Sequence, residues 1–484
     1  MGGSKSERYF DLWNESEALA TKMLPVLSDL RVDRGVLVHV FGRSIAKVSS
    51  VEILKVHRHA RLILGRELTV QDTFPVLQAL ARLDLGPCRI DLGKLTVRHQ
   101  KEGGDLDAFV ARELEAVTTG VRPVLEPPQD VVLYGFGRIG RLLARILVDK
   151  TGKGDKLRVR AAVVRRPKEP DLYKRASLFR LDSVHGAFQG TTMVDEEENA
   201  IVANGNLIRI LYADDPASMD YTQYGIRDAI VVDNTGRWRD RKGLGKHLEA
   251  KGVKSVLLTA PGKGDIPNIV YGVNHDSLDP DERIVSAASC TTNAIVPVLK
   301  VINDRYGIES GHVETCHAYT NDQNLIDNFH SKPRRGRAAA LNMVITSTGA
   351  AVAAAKALPE LKGKLTGNAV RVPTPDVSLA ILNLRLQKAT TRDEVNDYLR
   401  QIALDSPLQN QIDFTTSPDI VSSDLIGSRH AGVVDGEATI VNGTDGRNVV
   451  LYVWYDNEFG YACQVMRLLQ QMAGLDLPEL PKSV

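Results

Sequence analysis

The sequence predicts an α/β protein with a small, mainly helical N-terminal domain, a doubly wound parallel sheet, and an α+β domain with an antiparallel sheet. Apolar residues recur at helical spacing through residues 7–118. After residue 130, short apolar runs alternate with helical patterns, which is typical of a parallel sheet covered by helices on both faces. Beyond residue 290, longer runs alternate apolar and polar residues, which favours antiparallel strands.

Length and composition indicate a multidomain globular protein. The chain has 484 residues, 43% hydrophobic and 25% charged, which exceeds the size at which one core keeps growing. Its formal net charge of +1 gives no general attraction to nucleic acid or anionic lipid. Four scattered cysteines without a metal-binding spacing, and a polar N-terminus, fit a reduced compartment. We therefore expect a cytoplasmic protein that binds no nucleic acid, membrane or metal.

The N-terminal domain is predicted to cover residues 1–128. Its clearest helical patterns are residues 69–83 and 105–117. Residues 34–41 form a short apolar run that fits either a strand or a buried helical turn. Three prolines and a glycine within residues 119–130 predict a linker to the rest of the chain.

A glycine-rich turn follows the first predicted strand of the parallel sheet. After the run VVLY, Gly135, Gly137 and Gly140 form the pattern GxGxxG, and a helical pattern follows. The first glycine permits a tight turn, the second lets a dinucleotide pyrophosphate approach, and the third allows close packing of helix on strand. Free amides at the helix start would face the phosphates. The pattern predicts a Rossmann-type dinucleotide-binding domain over residues 129–289 and 456–475; the alternative is a glycine-rich turn without a ligand.

Two arginines stand where the second strand of this domain should end. An acidic residue about 20 residues beyond the glycines favours NAD in such domains. Here Arg165 and Arg166 occupy that place, and guanidiniums could pair with the 2′-phosphate of NADP. The sequence therefore predicts NADP or NAD as cofactor, with NADP preferred. The alternative is a solvated pair of surface arginines.

A cysteine and a histidine are the candidate reactive residues. Cys290 lies in the segment SAASCTTNAIVP, between a predicted strand and a helix expected from Asn293 onward. A helix N-terminus favours the thiolate, so the position suits a nucleophile, but a buried structural cysteine fits the pattern as well. His317, in the run ETCHAYTNDQN, fits either a base for that nucleophile or a structural residue. The residues alone leave these alternatives open.

From Val131 to the final helical pattern, the chain resembles phosphorylating glyceraldehyde-3-phosphate dehydrogenases. The shared motifs, in the family's order, are GFGRIGR at 135–141, DSVHG at 182–186, SCTTN at 289–293, HAYTNDQ at 317–323, TSTGAA at 346–351, RVPTPDVS at 371–378 and WYDNEFGY at 454–461. The resemblance implies a catalytic domain over residues 290–455, with glyceraldehyde 3-phosphate and inorganic phosphate as substrates. It also implies a homo-oligomer, with a tetramer as the usual form.

The resemblance also assigns roles to individual residues. Cys290 is similar to the family's nucleophile, His317 to the base that activates it, and Asn457 to the residue that orients the nicotinamide amide. The further cofactor contacts that it implies are Arg138, Ile139, Thr235 and Thr259. The substrate's own phosphate is expected at Thr320, Arg335 and Arg371, and the attacking inorganic phosphate at Ser289, Thr291, Thr348 and Gly349. The implied reaction passes through a thioester on the cysteine.

Three features depart from the family's pattern. Arg165 and Arg166 replace the usual Asn-Asp, which puts a preference for NAD in doubt; position 294 is alanine where a second cysteine is common; and the ordinary family lacks the N-terminal extension. The extension fits an assembly module, a regulatory docking domain or a separate activity. The alternatives for the whole chain are an erythrose 4-phosphate dehydrogenase and a regulatory protein on a dehydrogenase scaffold.

Overall fold

The computed structural model describes residues 5–118, 125, 127–151, 156–475 and 477–481. The chain divides into two compact units: Met1–Pro127 with Leu404–Ser406 and Gly474–Val484, and Pro128–Ala403 with Pro407–Ala473. Residues 119–124 and 126 of the predicted linker lie outside the described residues. The bounds predicted for the dinucleotide-binding and catalytic domains stay a prediction.

The first unit is mainly helical, as predicted. Its helices are α1 (Lys5–Arg34), α2 (Ser50–His59), α3 (Arg61–Leu64), α4 (Val70–Arg82), α5 (Leu92–Glu102) and α6 (Leu106–Glu113). A capping box fixes the start of α4, because Thr69 and Asp72 each accept the other's backbone amide through their side chains. The helical pattern predicted at residues 69–83 is therefore confirmed.

A small sheet completes this unit's core. Its strands are β1 (Leu37–Val40), β2 (Arg43–Ser44) and β3 (Arg89–Asp91). β1 pairs antiparallel with β2 and parallel with β3. Val38 and Val40 are buried while their neighbours are only half-buried, which is strand alternation. Of the two interpretations of residues 34–41, the strand is confirmed.

The two ends of α1 differ in burial. Its later turns pack against α2 and α4 through one face with spacings of three and four residues, namely Ala20, Met23, Leu27 and Leu30. Its first turns are exposed, and the large apolar side chains there are Tyr9, Phe10, Leu12 and Trp13. The extension therefore presents apolar surface beyond its own core.

The second unit begins with an eight-stranded sheet among the described residues. Its strands are β4 (Gln129–Tyr134), β5 (Leu157–Val164), β6 (Thr192–Asp195), β7 (Ala200–Ala203), β8 (Asn206–Tyr212), β9 (Ala229–Asp233), β10 (Val253–Leu258) and β11 (Ile284–Ser286), with helices α7 (Arg138–Thr151), α8 (Leu172–Arg180) and α9 (Arg241–Glu249). The strand order is β11-β10-β9-β4-β5-β8-β7-β6. Every pair from β11 to β8 is parallel, whereas β6, β7 and β8 pair antiparallel. The parallel strands follow the doubly wound order, so this part of the predicted fold class is confirmed.

The second sheet of this unit carries the C-terminal part of the chain. Its strands are β12 (Ile308–Ala318), β13 (Val344–Thr346), β14 (Leu365–Val372), β15 (Ser378–Leu386), β16 (Ile412–Thr415), β17 (Gly432–Asp435), β18 (Ile440–Asn442) and β19 (Asn448–Tyr455), with helices α10 (Cys290–Tyr306), α11 (Ala350–Ala357), α12 (Arg392–Leu404) and α13 (Phe459–Met472). Most pairs are antiparallel, as predicted, but β12 pairs parallel with β14 and β16 with β17. The sheet is therefore mixed. The connection from β12 to β14 contains β13 and α11, and is long enough for a parallel crossover.

The first unit receives its last strand from the other end of the chain. β20 (Glu479–Leu480) pairs parallel with β3, extending the small sheet to the order β2-β1-β3-β20. Arg89 Nη1 donates to Glu479 Oε1 at 2.6 Å along this edge, and Leu480 is buried in the unit's core. The first unit is thus built from residues 1–127 together with residues from the C-terminal part of the sequence. No helix in the described parts of the chain is long and apolar enough to cross a membrane.

Candidate active site

The glycine-rich turn lies at the carboxyl edge of the parallel sheet, between β4 and α7. Gly135 has a φ of 98°, which favours glycine. A Cβ on Gly140 would lie 2.2 Å from the carbonyl oxygen of Gly135, so a side chain there would force helix and strand apart. A Cβ on Gly137 would meet nothing within 4 Å. The open space at Gly137 beside the first amides of α7 fits the pyrophosphate of a dinucleotide.

This geometry predicts opposite outcomes for two alanine substitutions. Gly140→Ala should lower the free energy of unfolding by about 2–3 kcal/mol, because its Cβ overlaps a backbone oxygen. The matched Gly137→Ala should keep the stability but weaken cofactor binding, because its methyl group fills the open space. Denaturant unfolding and a cofactor titration of both variants test this. Equal stability losses would contradict the packing argument.

Two threonines follow neighbouring strands at the same edge. Thr235, after β9, donates from its amide and its hydroxyl to Asp233 Oδ1, at 2.8 and 2.7 Å. Thr259, after β10, donates to the backbone oxygen of Asp233 at 3.0 Å. The other oxygen of Asp233 lies 3.0 Å from His247 Nε2. The single buried residue Asp233 therefore holds both predicted cofactor residues, Thr235 through its carboxylate and Thr259 through its backbone carbonyl oxygen.

The arginines predicted for the cofactor differ in their surroundings. Arg138 begins α7, but its guanidinium forms ion pairs with Asp182, at 3.0 Å, and with Glu458. Its side chain therefore belongs to a charge cluster, while the neighbouring Ile139 is half-buried. Arg165 and Arg166 are exposed directly after β5. The guanidinium carbon of Arg166 lies 5.5 Å from the ring centre of Tyr212.

Cys290 is the first residue of α10. The sequence predicted this helix from Asn293 onward, which is wrong, because Ser289 caps it by accepting the amide of Thr292 at 3.0 Å. Ala288 has a φ of 55°, an uncommon conformation for a residue other than glycine, and Tyr461 donates to its carbonyl oxygen at 2.9 Å. This strained turn between β11 and α10 holds the sulfur at the helix N-terminus.

The sulfur of Cys290 lies 3.4 Å from Nε2 of His317. His317 Nδ1 is 2.7 Å from the carbonyl oxygen of Ala318, which can only accept; this short contact favours the tautomer with the proton on Nδ1, although Arg371 Nη1 lies 3.0 Å from the same nitrogen. Nδ1 therefore carries the proton, and the lone pair of Nε2 faces the sulfur. The arrangement can move a proton from the thiol to the imidazole.

Burial keeps both members of this pair uncharged. Burial, reinforced by the nearby Arg371 guanidinium, lowers the pKa of His317 to about 3. Burial also raises the pKa of Cys290, against the effects of Arg371 and of hydrogen bonds at the helix start. The sequence predicted a thiolate favoured by the helix alone; in the structure burial outweighs that effect, and a neutral imidazole must take the proton as the sulfur reacts.

A second cluster joins the residues predicted for the substrate's phosphate. His317 on β12 and Arg371 on β14 are direct partners in the parallel pairing. Arg371 Nη1 donates to the hydroxyl of Thr320 at 3.2 Å. Asp322, which the sequence analysis missed, accepts from Thr320 and from Arg335. Two guanidiniums and a hydroxyl therefore lie close to the reactive pair. An incoming phosphate would displace Asp322 as the ion-pair partner of Arg335.

The residues predicted for inorganic phosphate lie at the starts of two helices. Ser289 and Thr291 flank Cys290, whereas Thr348 and Gly349 precede α11, which packs against α10. A Cβ on Gly349 would meet nothing within 4 Å. The hydroxyl of Thr291, however, points into the core, where it lies 2.9 Å from the hydroxyl of Tyr455. An anion at this position would therefore compete with Tyr455 for the Thr291 hydroxyl.

A hydrogen bond from Ser378, on the catalytic sheet, orients the side chain of Asn457. Ser378 Oγ donates to Asn457 Oδ1 at 2.7 Å and accepts the amide of Ala318 at 3.0 Å. The amide orientation follows from this bond, and it leaves Nδ2 of Asn457 as the outward donor. Ser378 therefore links the predicted nicotinamide contact to the strand of His317. Ser378 and Tyr455 were not predicted as site residues, although they lie in the motifs RVPTPDVS and WYDNEFGY.

Comparisons with known proteins show the family of this chain. Residues 129–241 match the family described as glyceraldehyde 3-phosphate dehydrogenase, NAD binding domain, and residues 289–457 match its C-terminal domain. The chain belongs to the glyceraldehyde-3-phosphate dehydrogenase family. The glyceraldehyde-3-phosphate dehydrogenase of Zymomonas mobilis is 40% identical over 344 residues, covering 71% of this chain and 98% of that protein. Glyceraldehyde-3-phosphate dehydrogenase 2 of Bacillus subtilis has the same identity over 71% of this chain and 96% of its own.

One relative shares more than the dehydrogenase part. A glyceraldehyde-3-phosphate dehydrogenase-like protein of Pseudomonas aeruginosa is 60% identical over 464 residues, covering 95% of this chain and all of that protein. A match of that length must include most of the N-terminal extension. Within the glyceraldehyde-3-phosphate dehydrogenase family, the chain is therefore similar both to proteins with this extension and to proteins without it.

Proposed function

We propose that this family member oxidises glyceraldehyde 3-phosphate to 1,3-bisphosphoglycerate, reversibly, through a thioester on Cys290. The observation that carries the proposal is the 3.4 Å contact between the Cys290 sulfur and the free lone pair of His317 Nε2. A thiol at a helix start, a neutral base against it and two arginines nearby are the groups that oxidation of a phosphorylated aldehyde requires. A regulatory protein would not need to keep this arrangement.

Each step assigns a task to one of these groups. The Cys290 sulfur adds to the aldehyde carbon while His317 Nε2 takes the thiol proton and returns it to the new hydroxyl. Arg371 and Arg335 bind the substrate's phosphate and place the carbonyl beside the sulfur. His317 then removes the hydroxyl proton as the carbon is oxidised to the thioester. Inorganic phosphate attacks the thioester, the acyl phosphate leaves, and the thiol regains a proton from His317.

A nicotinamide dinucleotide supplies the hydride acceptor for the oxidation. Gly135, Gly137 and the first amides of α7 would hold its pyrophosphate, and Asn457 Nδ2 would donate to its carboxamide. The NAD-binding domain of the family supports the use of NAD or NADP. These residues fit the cofactor because they leave the space at Gly137 open.

Turnover by the purified protein tests the proposal. Glyceraldehyde 3-phosphate, inorganic phosphate and either cofactor should give reduced cofactor and an acyl phosphate, with little turnover when phosphate is omitted. The alternative substrate, erythrose 4-phosphate, should give a lower kcat/KM. A higher kcat/KM for the four-carbon sugar would replace the proposed substrate, and phosphate-independent turnover would contradict acyl phosphate formation.

For the cofactor we propose a preference for NADP, supported by the exposure of Arg165 and Arg166 after β5. Arg165→Asp and Arg166→Asp should each raise the Kd for NADP about tenfold, the equivalent of one lost charge-assisted contact. The Kd for NAD should not rise, because NAD lacks the 2′-phosphate and an aspartate can accept from its ribose hydroxyls. Titration of each variant with both cofactors gives these Kd values. An unchanged Kd for NADP in both variants would show that neither arginine binds the 2′-phosphate.

We also propose that the chain forms homo-oligomers, with a tetramer as the expected form. Large apolar side chains are exposed between residues 325 and 352, namely Leu325, Ile326, Phe329, Leu341, Met343, Ile345 and Val352. Exposed apolar surface of this extent is typical of an interface. The exposed apolar side chains in the first turns of α1 support a further role of the extension in assembly. Light scattering after size-exclusion chromatography gives the mass.

A further inference from the structure

A buried cluster of charges lies behind Asn457, where three separate segments meet. His185, from the DSVHG motif after α8, lies with Nε2 3.1 Å from Asp376 Oδ2 and 3.2 Å from Asp456 Oδ2. Asp376 belongs to the loop before β15, and Asp456 follows β19. Both aspartates are 1% exposed. One imidazole therefore bridges two buried carboxylates from different parts of the catalytic sheet.

We propose that His185 is a positioning residue for the nicotinamide, because its bridge from Asp376 to Asp456 holds Asn457 and Ser378 in register. The inference rests on the proposed role of Asn457 as the contact of the nicotinamide amide. Asp456 is the residue before Asn457, and Asp376 lies two residues before Ser378, which donates to Asn457 at 2.7 Å. The bridge therefore ties together the two backbone segments that carry this hydrogen bond.

The acids around His185 favour its imidazolium form. Besides the two aspartates, Nδ1 faces Asp182 at 3.6 Å and Glu458 at 3.8 Å. The cations in contact with these acids are His185 itself and Arg138, whose Nη2 lies 3.4 Å from Nδ1. Arg141 and Arg145 also interact electrostatically with Asp182. Burial opposes a charged imidazole, but the close contacts of Nε2 with the Asp376 and Asp456 carboxylates raise the pKa of His185 to about 10. Loss of this charge would leave two buried carboxylates facing each other without a cation between them.

The local backbone also needs a restraint. Val377, between Asp376 and Ser378, has a φ of 63°, which is an outlier for a β-branched residue. Such a conformation persists where surrounding contacts hold it. Asp456 has further fixed contacts, since its Oδ2 accepts the amide of Gly427 at 2.7 Å and its Oδ1 that of Phe459 at 2.7 Å. Through its contacts with Asp376 and Asp456, His185 therefore connects the strained segment that contains Ser378 to the segment that contains Asn457.

The test compares whole dinucleotides with fragments that lack nicotinamide. In His185→Gln, which keeps a side chain of similar reach without the charge, the Kd for NAD or NADP should rise about tenfold. The Kd for ADP-ribose or its 2′-phosphate should stay within about twofold, because the adenosine and pyrophosphate contacts are intact. His312→Gln is the matched control and should change neither value, because His312 lies at the other end of β12 from His317 and its ring contacts Thr366 and Asn368 on β14. The wild-type Kd in the presence of a chelator should equal that without it.

Several outcomes would overturn the inference. Equal losses for dinucleotides and fragments would show a general structural role, and unchanged Kd values would show no role at all. A chelator that reproduces the variant's loss in the wild type would assign the cluster to a metal instead. If His185→Gln does not fold, Asp376→Asn, which weakens the same contact and removes a surplus negative charge, should show the selective loss, and equal binding there would overturn the idea. A wild type that binds no dinucleotide would refute the proposed function itself.

Discussion

Replacement of Cys290 by serine is expected to lower kcat for aldehyde oxidation by about ten-thousand-fold or more. A hydroxyl is far less acidic than a thiol, and the neutral imidazole of His317 at 3.4 Å is too weak a base to compensate. Serine keeps the helix start, because the cap of α10 is formed by Ser289. The measurement is the steady-state rate with the aldehyde, together with a cofactor titration.

The cofactor titration separates chemistry from folding. Cys290→Ser should bind the dinucleotide with a Kd within about twofold of the wild type, since the glycine-rich turn and Asn457 are untouched. Cys316→Ser is the matched control, because Cys316 is the next residue to His317 on β12 but alternation directs its side chain to the other face of the sheet. It should retain nearly full activity. Continued turnover by Cys290→Ser would refute the thioester mechanism.

Replacement of His317 by asparagine should lower kcat by about 10²–10⁴-fold. The variant loses the atom that takes the thiol proton, so solvent must remove that proton instead. Because burial raises the pKa of Cys290, the thiolate population of the variant should grow as the pH rises on the alkaline side. The rate of the variant should therefore increase with pH, whereas the wild type should be flat around neutral pH, since the low pKa of His317 leaves its base form fully populated there.

The pH profile distinguishes a base from a packing residue. A residue that only filled space would leave the shape of the profile unchanged while lowering its height. Alkylation of Cys290 by iodoacetamide, followed across pH in wild type and His317→Asn, gives the same comparison without substrate. Parallel profiles in both assays would argue against His317 as the base.

The sequence predicted the positions of the reactive groups better than their electrostatics. GxGxxG specified the turn because Gly135 and Gly140 are required by the local backbone, whereas Gly137 leaves open space for a ligand. The pairing of Cys290 with His317, by contrast, arises from contact between α10 and β12, and the residues alone could not decide it. The direction of the Cys290 pKa depends on burial, which is a tertiary property. Helix periodicity therefore could not provide it.

The parallel pairs of the catalytic sheet were missed for a similar reason. Alternation along β15 and β19 predicts strands, but it contains nothing about which neighbour a strand takes or in which direction. The roles of Asp322 and His185 were missed because each acts through partners brought by other segments. The signal that could have revealed them is the presence of charged residues, such as Asp456 and Glu458, inside the motifs shared with the family.

The strand β20 places the completion of the N-terminal domain late in synthesis. Arg89 on β3 and its partner Glu479 on β20 are 390 residues apart in the sequence. While the ribosome is still translating the dehydrogenase part, the edge of β3 that β20 later covers is open, and unpaired strand edges invite association with other chains. The small sheet of this domain is therefore complete only after residues 479–480 have left the exit tunnel, although β1 to β3 precede the whole dehydrogenase part in the chain.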